Sequence, residues 1–201
     1  MINLITFYNL CPKNRNEFVS RIANSFQLLS LDSLDEVILF VTEKLGLFLL
    51  DRLKKIRKKV IVFSDNNSLK WGKSICGIPI VSLEELVQFK NCKIIIASKY
   101  VREIMPQLHF LGFKYVIPHY VLDILFPEIF PNDIHQNAID YIINDRQIIE
   151  RCYKSLYDDK SKEVFLKLLN FRVSLQPQDL PSKENNQYFP EFYQAWRCWW
   201  I

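Results

Sequence analysis

The residues with chemistry to offer stand at the ends of short apolar runs. Asp65 closes "KVIVFSD" (59–65), Ser98 closes "CKIIIAS" (92–98) and His119 closes "YVIPH" (115–119). Thr42 and Gly46 fall in "VTEKLG" (41–46), directly after "VILFV" (37–41). An acid at the end of a second strand, 19 residues past Gly46, is placed to hydrogen-bond a ribose hydroxyl. Ser98 and His119 would bring a hydroxyl and a titratable ring to the same edge. Thr42, Gly46, Asp65, Ser98 and His119 are therefore the candidate ligand-binding set. His119 has no nucleophile partner visible in the sequence, so no catalytic residue is assigned.

A pyrophosphate needs glycines, because backbone amides can close on it only where no side chain intervenes. The loop Val41-Thr42-Glu43-Lys44-Leu45-Gly46 has side chains at the first two glycine positions, and Glu43 puts negative charge where phosphate would sit. Only Gly46, the position that allows close helix packing, is kept. Tight dinucleotide binding is disfavoured. For Asp65 a second reading stands beside the ribose contact, since Asp-Asn-Asn after a strand makes an Asx-type turn without any ligand. Ser98 could likewise simply cap the following helix. His109 and His135 read as surface or core residues.

These positions need elements to hold them. "VILFV", "KVIVFSD", "IPIV" (78–81), "CKIIIAS" and "YVIPH" are continuous apolar runs of the kind buried on both faces of a parallel sheet. Between them, "EKLGLFLLDRLKKIRK" (43–58) has Leu45, Phe48, Leu49, Leu53 and Ile56 at helical spacing. "SLEEL" (82–86) carries a capping box between Ser82 and Glu85. "YVREIMPQLHFLG" (100–112) predicts a helix kinked or broken at Pro106 and stopped at Gly112. The order predicts an α/β fold: a Rossmann-like, doubly wound parallel sheet of about five strands with a helical C-terminal extension. The chain divides into a helical cap (1–34), the Rossmann-like domain (35–130), the helical extension (131–176) and a linker with an aromatic tail (177–201). The extension holds two helical patterns, 133–156 and 159–174, with Asp158 or Asp159 as the cap of the second.

Composition supports a packed domain. The 201 residues are 49% hydrophobic and 14% aromatic, enough for a core, yet only four are glycine. The net charge of +4 owes much to "RLKKIRKK" (52–59), which suits the negative end of a helix dipole better than a nucleic-acid patch. Cys11, Cys76, Cys92, Cys152 and Cys198 form no C-x-x-C pair or Cys/His cluster, so neither a metal nor a disulfide framework is expected. No leader pattern and no apolar run of membrane-spanning length is present, and a soluble, cytoplasmic protein is expected.

The segments "VFSDNNSLKWGKSICGIPIVSLEEL" (62–86), "CKIIIASKYVREIMPQLHFLGFKYVIPHYVL" (92–122) and "LYDDKSKEVFLKLLNFRVSL" (156–175), with "QYFP" (187–190), resemble the region preceding the catalytic domain of long FkbM-type methyltransferases. The strand-Asp-Asn, Trp-Gly-Lys and Gly-Ile-Pro part is also similar to N-terminal domains of sugar-nucleotide acyltransferases. The resemblance spans residues 35 to 190. It implies an S-adenosylmethionine-dependent methyl transfer, often to sugar or polyketide hydroxyls, by a domain opening after the motif matched by Tyr188-Phe189-Pro190.

Here that motif is followed by "EFYQAWRCWWI". The resemblance therefore implies a truncated or diverged chain that keeps the leading region without the methyl-transfer machinery. No family catalytic residue is carried over and no cofactor is expected. Such a region would position substrate or assemble in cell-surface polysaccharide modification. Two alternatives are a degenerate nucleotide-sugar module and a structural domain that self-associates through Trp196, Trp199 and Trp200.

Overall fold

Runs of Val, Ile, Leu and Phe between polar turns become strands, and the amphipathic stretches between them become covering helices. The computed structural model describes residues 3–131 and 137–180. His135, Cys198, Tyr188-Phe189-Pro190 and the tail tryptophans Trp196, Trp199 and Trp200 lie outside the described residues. The strands are β1 (Glu36–Phe40), β2 (Lys59–Ser64), β3 (Ser74–Ile75), β4 (Ile78–Val81), β5 (Lys93–Ile96) and β6 (Val116–Pro118). They form one sheet in the order β3-β4-β2-β1-β5-β6, parallel except for the β3–β4 pair. This is a Rossmann-like α/β fold.

The sixth strand is the addition to the sequence expectation. It lies in the turn-rich stretch before Gly77, where Cys76 and Gly77 both take positive φ (52° and 79°). Positive φ at both central residues makes a tight two-residue hairpin, and Ile75 pairs with Ile78 across it.

Register brings the site together. Phe40 pairs with both Ser64 and Ile96, Ser64 with Val81, and Ile96 with Pro118. Five parallel strands thus end level, and the residues that follow them share one edge. The middle of the sheet is fully apolar: Val37 to Phe40 and Ile94 to Ile96 are each 0% exposed.

The helices, in chain order, are α1 (Leu4–Leu10), α2 (Arg15–Ser25), α3 (Lys44–Lys55), α4 (Leu83–Leu86), α5 (Val101–Phe110), α6 (His119–Leu125), α7 (Ala138–Asn144), α8 (Arg146–Ser155) and α9 (Asp159–Ser174). Ser82 and Glu85 make the expected capping box of α4: Ser82 Oγ accepts from the Glu85 amide at 3.2 Å, and the Ser82 amide donates to Glu85 at 2.9 Å. Asp158 caps α9 by accepting from the Ser161 amide at 2.7 Å. Helix α5 runs through Pro106 rather than breaking there. The helical pattern predicted over 133–156 is divided at Asp145, which closes α7 and opens α8.

The flanking helices pack on each other and on the sheet. Tyr8 of α1 donates to the Arg146 carbonyl at 3.0 Å, and the Arg146 guanidinium lies 5.1 Å over its ring. Arg15 of α2 pairs with Asp140 of α7 at 2.6 Å. One apolar cluster runs from Phe7 and Phe18 through the strands to Phe171 and Leu175. Tyr120 of α6 ties the end of α9 to the sheet: its ring meets Phe171 edge-on at 5.6 Å, and its hydroxyl donates to the Leu175 carbonyl at 3.2 Å. Leu175 itself is left-handed (φ 54°), a conformation disfavoured for leucine that ends the helix sharply. Phe171→Ala should cost about 3–5 kcal/mol, and Tyr120→Phe about 1–3 kcal/mol through the abandoned buried carbonyl. Urea unfolding followed by circular dichroism would measure both, and equal effects would contradict this division.

Candidate functional site

The carboxyl edge is assembled by the strand ends. Beyond β1 the chain turns through Val41, whose φ of 84° is a costly conformation for a β-branched residue. Its amide still donates to the Ser64 carbonyl at 2.8 Å, so pairing with β2 extends one residue past the strand. On the other side the Ala97 amide donates to the Phe40 carbonyl at 2.9 Å. The loop then enters α3. A Cβ on Gly46 would stand 2.4 Å from the Val41 carbonyl oxygen, so α3 docks this closely only because position 46 lacks a side chain.

Thr42 and Asp65 are brought together. The Thr42 amide and hydroxyl donate to Asp65 Oδ2 at 3.1 and 2.7 Å, and Lys70 Nζ reaches the same oxygen at 2.7 Å. Asp65 Oδ1 accepts from the Asn67 amide at 3.0 Å, while Trp71 Nε1 donates to the Asp65 carbonyl at 2.6 Å. Four donors thus converge on the carboxylate, three on Oδ2 and one on Oδ1. Burial pushes the Asp65 carboxyl up, but the bonds from Lys70, the Asn67 amide and Thr42 outweigh it and hold it below the usual carboxylate range.

Ser98 and His119 occupy the other half of the edge. Ser98 Oγ accepts from the Tyr100 amide at 3.1 Å just before α5. His119 Nδ1 lies 3.3 Å from the Ile96 carbonyl, a contact that places the proton on Nδ1. Burial lowers its pKa to about 4, against the opposing effect of that carbonyl, so the ring is neutral at pH 7. The two halves are built separately, one around Asp65 and one around the end of β5.

A ribose hydroxyl would find Oδ2 of Asp65 taken by three donors and only Oδ1 able to accept another. A phosphate at the start of α3 would meet a Thr42 amide that is already engaged and the exposed carboxylate of Glu43. Both features oppose a phosphate at this loop. Among the described residues no group of three or more His, Cys, Asp or Glu could hold a metal, and no helix is long and apolar enough to cross a membrane. Sequence reasoning placed Thr42, Asp65, Ser98 and His119 at one edge but missed Lys70 and Trp71 as partners of Asp65. The available signal was their position five and six residues on, within reach of a carboxylate that opens a tight turn.

A scan against known protein families found no match, and a comparison with characterised proteins found none either. Among solved structures the chain is similar to the FkbM methyltransferase of Methylobacillus flagellatus KT, with a TM-score of 0.52 and 12% identity. The fold is FkbM-like. The match covers 83% of this chain and 51% of that one, so the chain spans about half the length of its FkbM neighbour. At this identity the likeness carries the fold; activity has to be argued from the residues.

Two predictions follow from the edge. Gly46→Ala should cost about 1–3 kcal/mol, because the clash is with backbone that cannot rotate away; an unchanged urea midpoint would contradict the close docking of α3. His119 carries a folded pKa of about 4, below an unfolded value of about 6.5. Its contribution is complete above pH 6.5 or so and should fall by about 3 kcal/mol as pH drops toward 4. Asp65, held low in the fold, loses its contribution only below about pH 4. Stability–pH curves should therefore flatten between pH 6.5 and 4 in His119→Gln, and below that range in Asp65→Asn.

Proposed function

We propose that this chain acts as the non-catalytic leading part of an FkbM-type methyltransferase system. In this reading it is a scaffold that positions substrate or partners during modification of cell-surface sugars. The observation that carries the reading is the fourfold occupation of the Asp65 carboxylate. A Rossmann-like edge serves a nucleotide through free amides and a free acid, and here the Thr42 amide and Oδ2 of the acid are engaged with each other. Support of a second kind is the half-length likeness to the FkbM methyltransferase. That likeness is compatible with a division of labour between a frame and a separate methyl-transferring part.

A second reading rests on the other half of the edge. The Ser98 hydroxyl proton and His119 Nε2 are left over once the bonds to Tyr100 and Ile96 are made, so they could hold a nucleotide sugar without disturbing Asp65. Titration calorimetry separates the readings. The scaffold reading expects no binding heat with S-adenosylmethionine or UDP-glucose at millimolar concentration. A dissociation constant below about 1 mM for UDP-glucose, lost in Ser98→Ala with His119→Gln, would establish the second reading. Comparable binding of S-adenosylmethionine lost in Asp65→Asn would overturn the scaffold reading outright.

A further inference from the structure

The edge opposite Asp65, where the parallel strands begin, carries a different chemistry. Arg57 stands before β2, Lys90 before β5, Lys93 at the first position of β5 and Lys114 before β6. The acids at this edge, Asp32, Asp35 and Glu36, are held by Lys58 and Lys59 at 3.7, 2.7 and 2.7 Å. Arg57, Lys90, Lys93 and Lys114 have no carboxylate partner among the described residues, so the row of strand entries is left net positive. Helix α5 ends at the same edge. Its buried stripe is Val101, Ile104, Met105 and Leu108, and Phe110 lies about 200° around the axis from Leu108. Phe110 is consequently 91% exposed.

The turn after α5 brings the ring and the cations together. A Cβ on Gly112 would stand 3.6 Å from Lys90 Nζ, so the Lys90 ammonium overlies the turn two residues past Phe110. Lys114, two residues further on, is exposed. Lys93 Nζ lies 5.3 Å from the centre of the half-buried Tyr115 ring. Glu103, the acid on α5, lies about 10 Å back along the helix axis from Phe110, away from the turn. Keeping a phenylalanine ring in water is unfavourable, and a second copy docked edge to edge would set like charges against each other. An anionic bilayer accommodates both features at once. Its acyl boundary takes an aromatic ring, and its headgroups attract the cations beside it.

We propose that this turn docks the chain on an anionic phospholipid bilayer, with Phe110 in the acyl boundary and Lys90, Lys93 and Lys114 at the headgroups. The proposal is independent of what the carboxyl edge binds. The probe is vesicles of phosphatidylcholine containing about one-third phosphatidylserine, sedimented with the full chain. Partition at about 0.1 M salt, lost at about 0.5 M and on pure phosphatidylcholine, is expected. Lys90→Gln with Lys114→Gln should weaken partition about twentyfold, at about fivefold per lysine. Phe110→Ser should weaken it about tenfold. Melting temperatures should not change, because these three side chains are exposed. Lys44→Gln with Lys99→Gln, the same charge change at the carboxyl edge, should leave partition within about twofold. If the Lys90 and Lys114 variant unfolds, Phe110→Ser decides alone. No partition at millimolar lipid, equal partition on neutral vesicles, equal loss in the carboxyl-edge variant, or no loss in Phe110→Ser would each overturn the proposal. Retention on duplex DNA without partition onto vesicles would assign the lysines to nucleic acid, and would overturn it too.

Discussion

Everything at the carboxyl edge is arranged around one buried carboxylate. Asp65 gathers the Thr42 amide and hydroxyl, the Asn67 amide and the Lys70 ammonium, joining the loop after β1 to the turn after β2. A buried acid is costly unless it is well bonded, and these four donors supply that bonding. The same bonds hold the chain where Val41 must take a left-handed conformation and where Gly46 must pass close beneath it. Strain in one residue, absence of a side chain in another and four converging bonds on a third describe a single tight crossing. A loop built this way has little freedom left with which to admit a phosphate.

Charge elsewhere is settled locally. Arg52, Lys54 and Lys55 occupy the last turn of α3, where cations oppose the helix dipole. Lys55 pairs with Asp51, Lys58 with Asp35 and Lys59 with Glu36. Such exposed pairs add little stability each, but they consume much of the "RLKKIRKK" run within the chain. Lys58 and Lys59 also bind the entry of β2 to the entry of β1, far from the edge where Asp65 does the corresponding task.

Much of the fold was legible because its signals are periodic. The continuous apolar runs identified β1, β2, β4, β5 and β6, and the spacing of Leu49 and Leu53 identified the buried face of α3. The Ser82–Glu85 and Asp158 caps were legible because side chains that bond locally leave a local signature. Strand β3 was missed, since two residues are too few for a period to show. The break expected as one outcome at Pro106 does not occur, because tertiary packing can carry a helix past the hydrogen bond a proline lacks. At the site, residue types predicted location but not partnership: Asp65 was placed at the right edge, whereas its bond to Lys70 depends on how the turn folds back. The left-handed Val41 left no trace, as nothing in a β-branched residue advertises positive φ.

The tie between Tyr8 and Arg146 joins residues 138 positions apart. Helices α1 and α2 leave the ribosome well before the surfaces they cover on α7, α8 and α9, which lie more than 110 residues later in the chain. Loop-closure entropy must be overcome before such distant contacts can reward it. The leading helices therefore keep part of their surface uncovered while those later residues are made, and exposure to aggregation persists until α9 is complete.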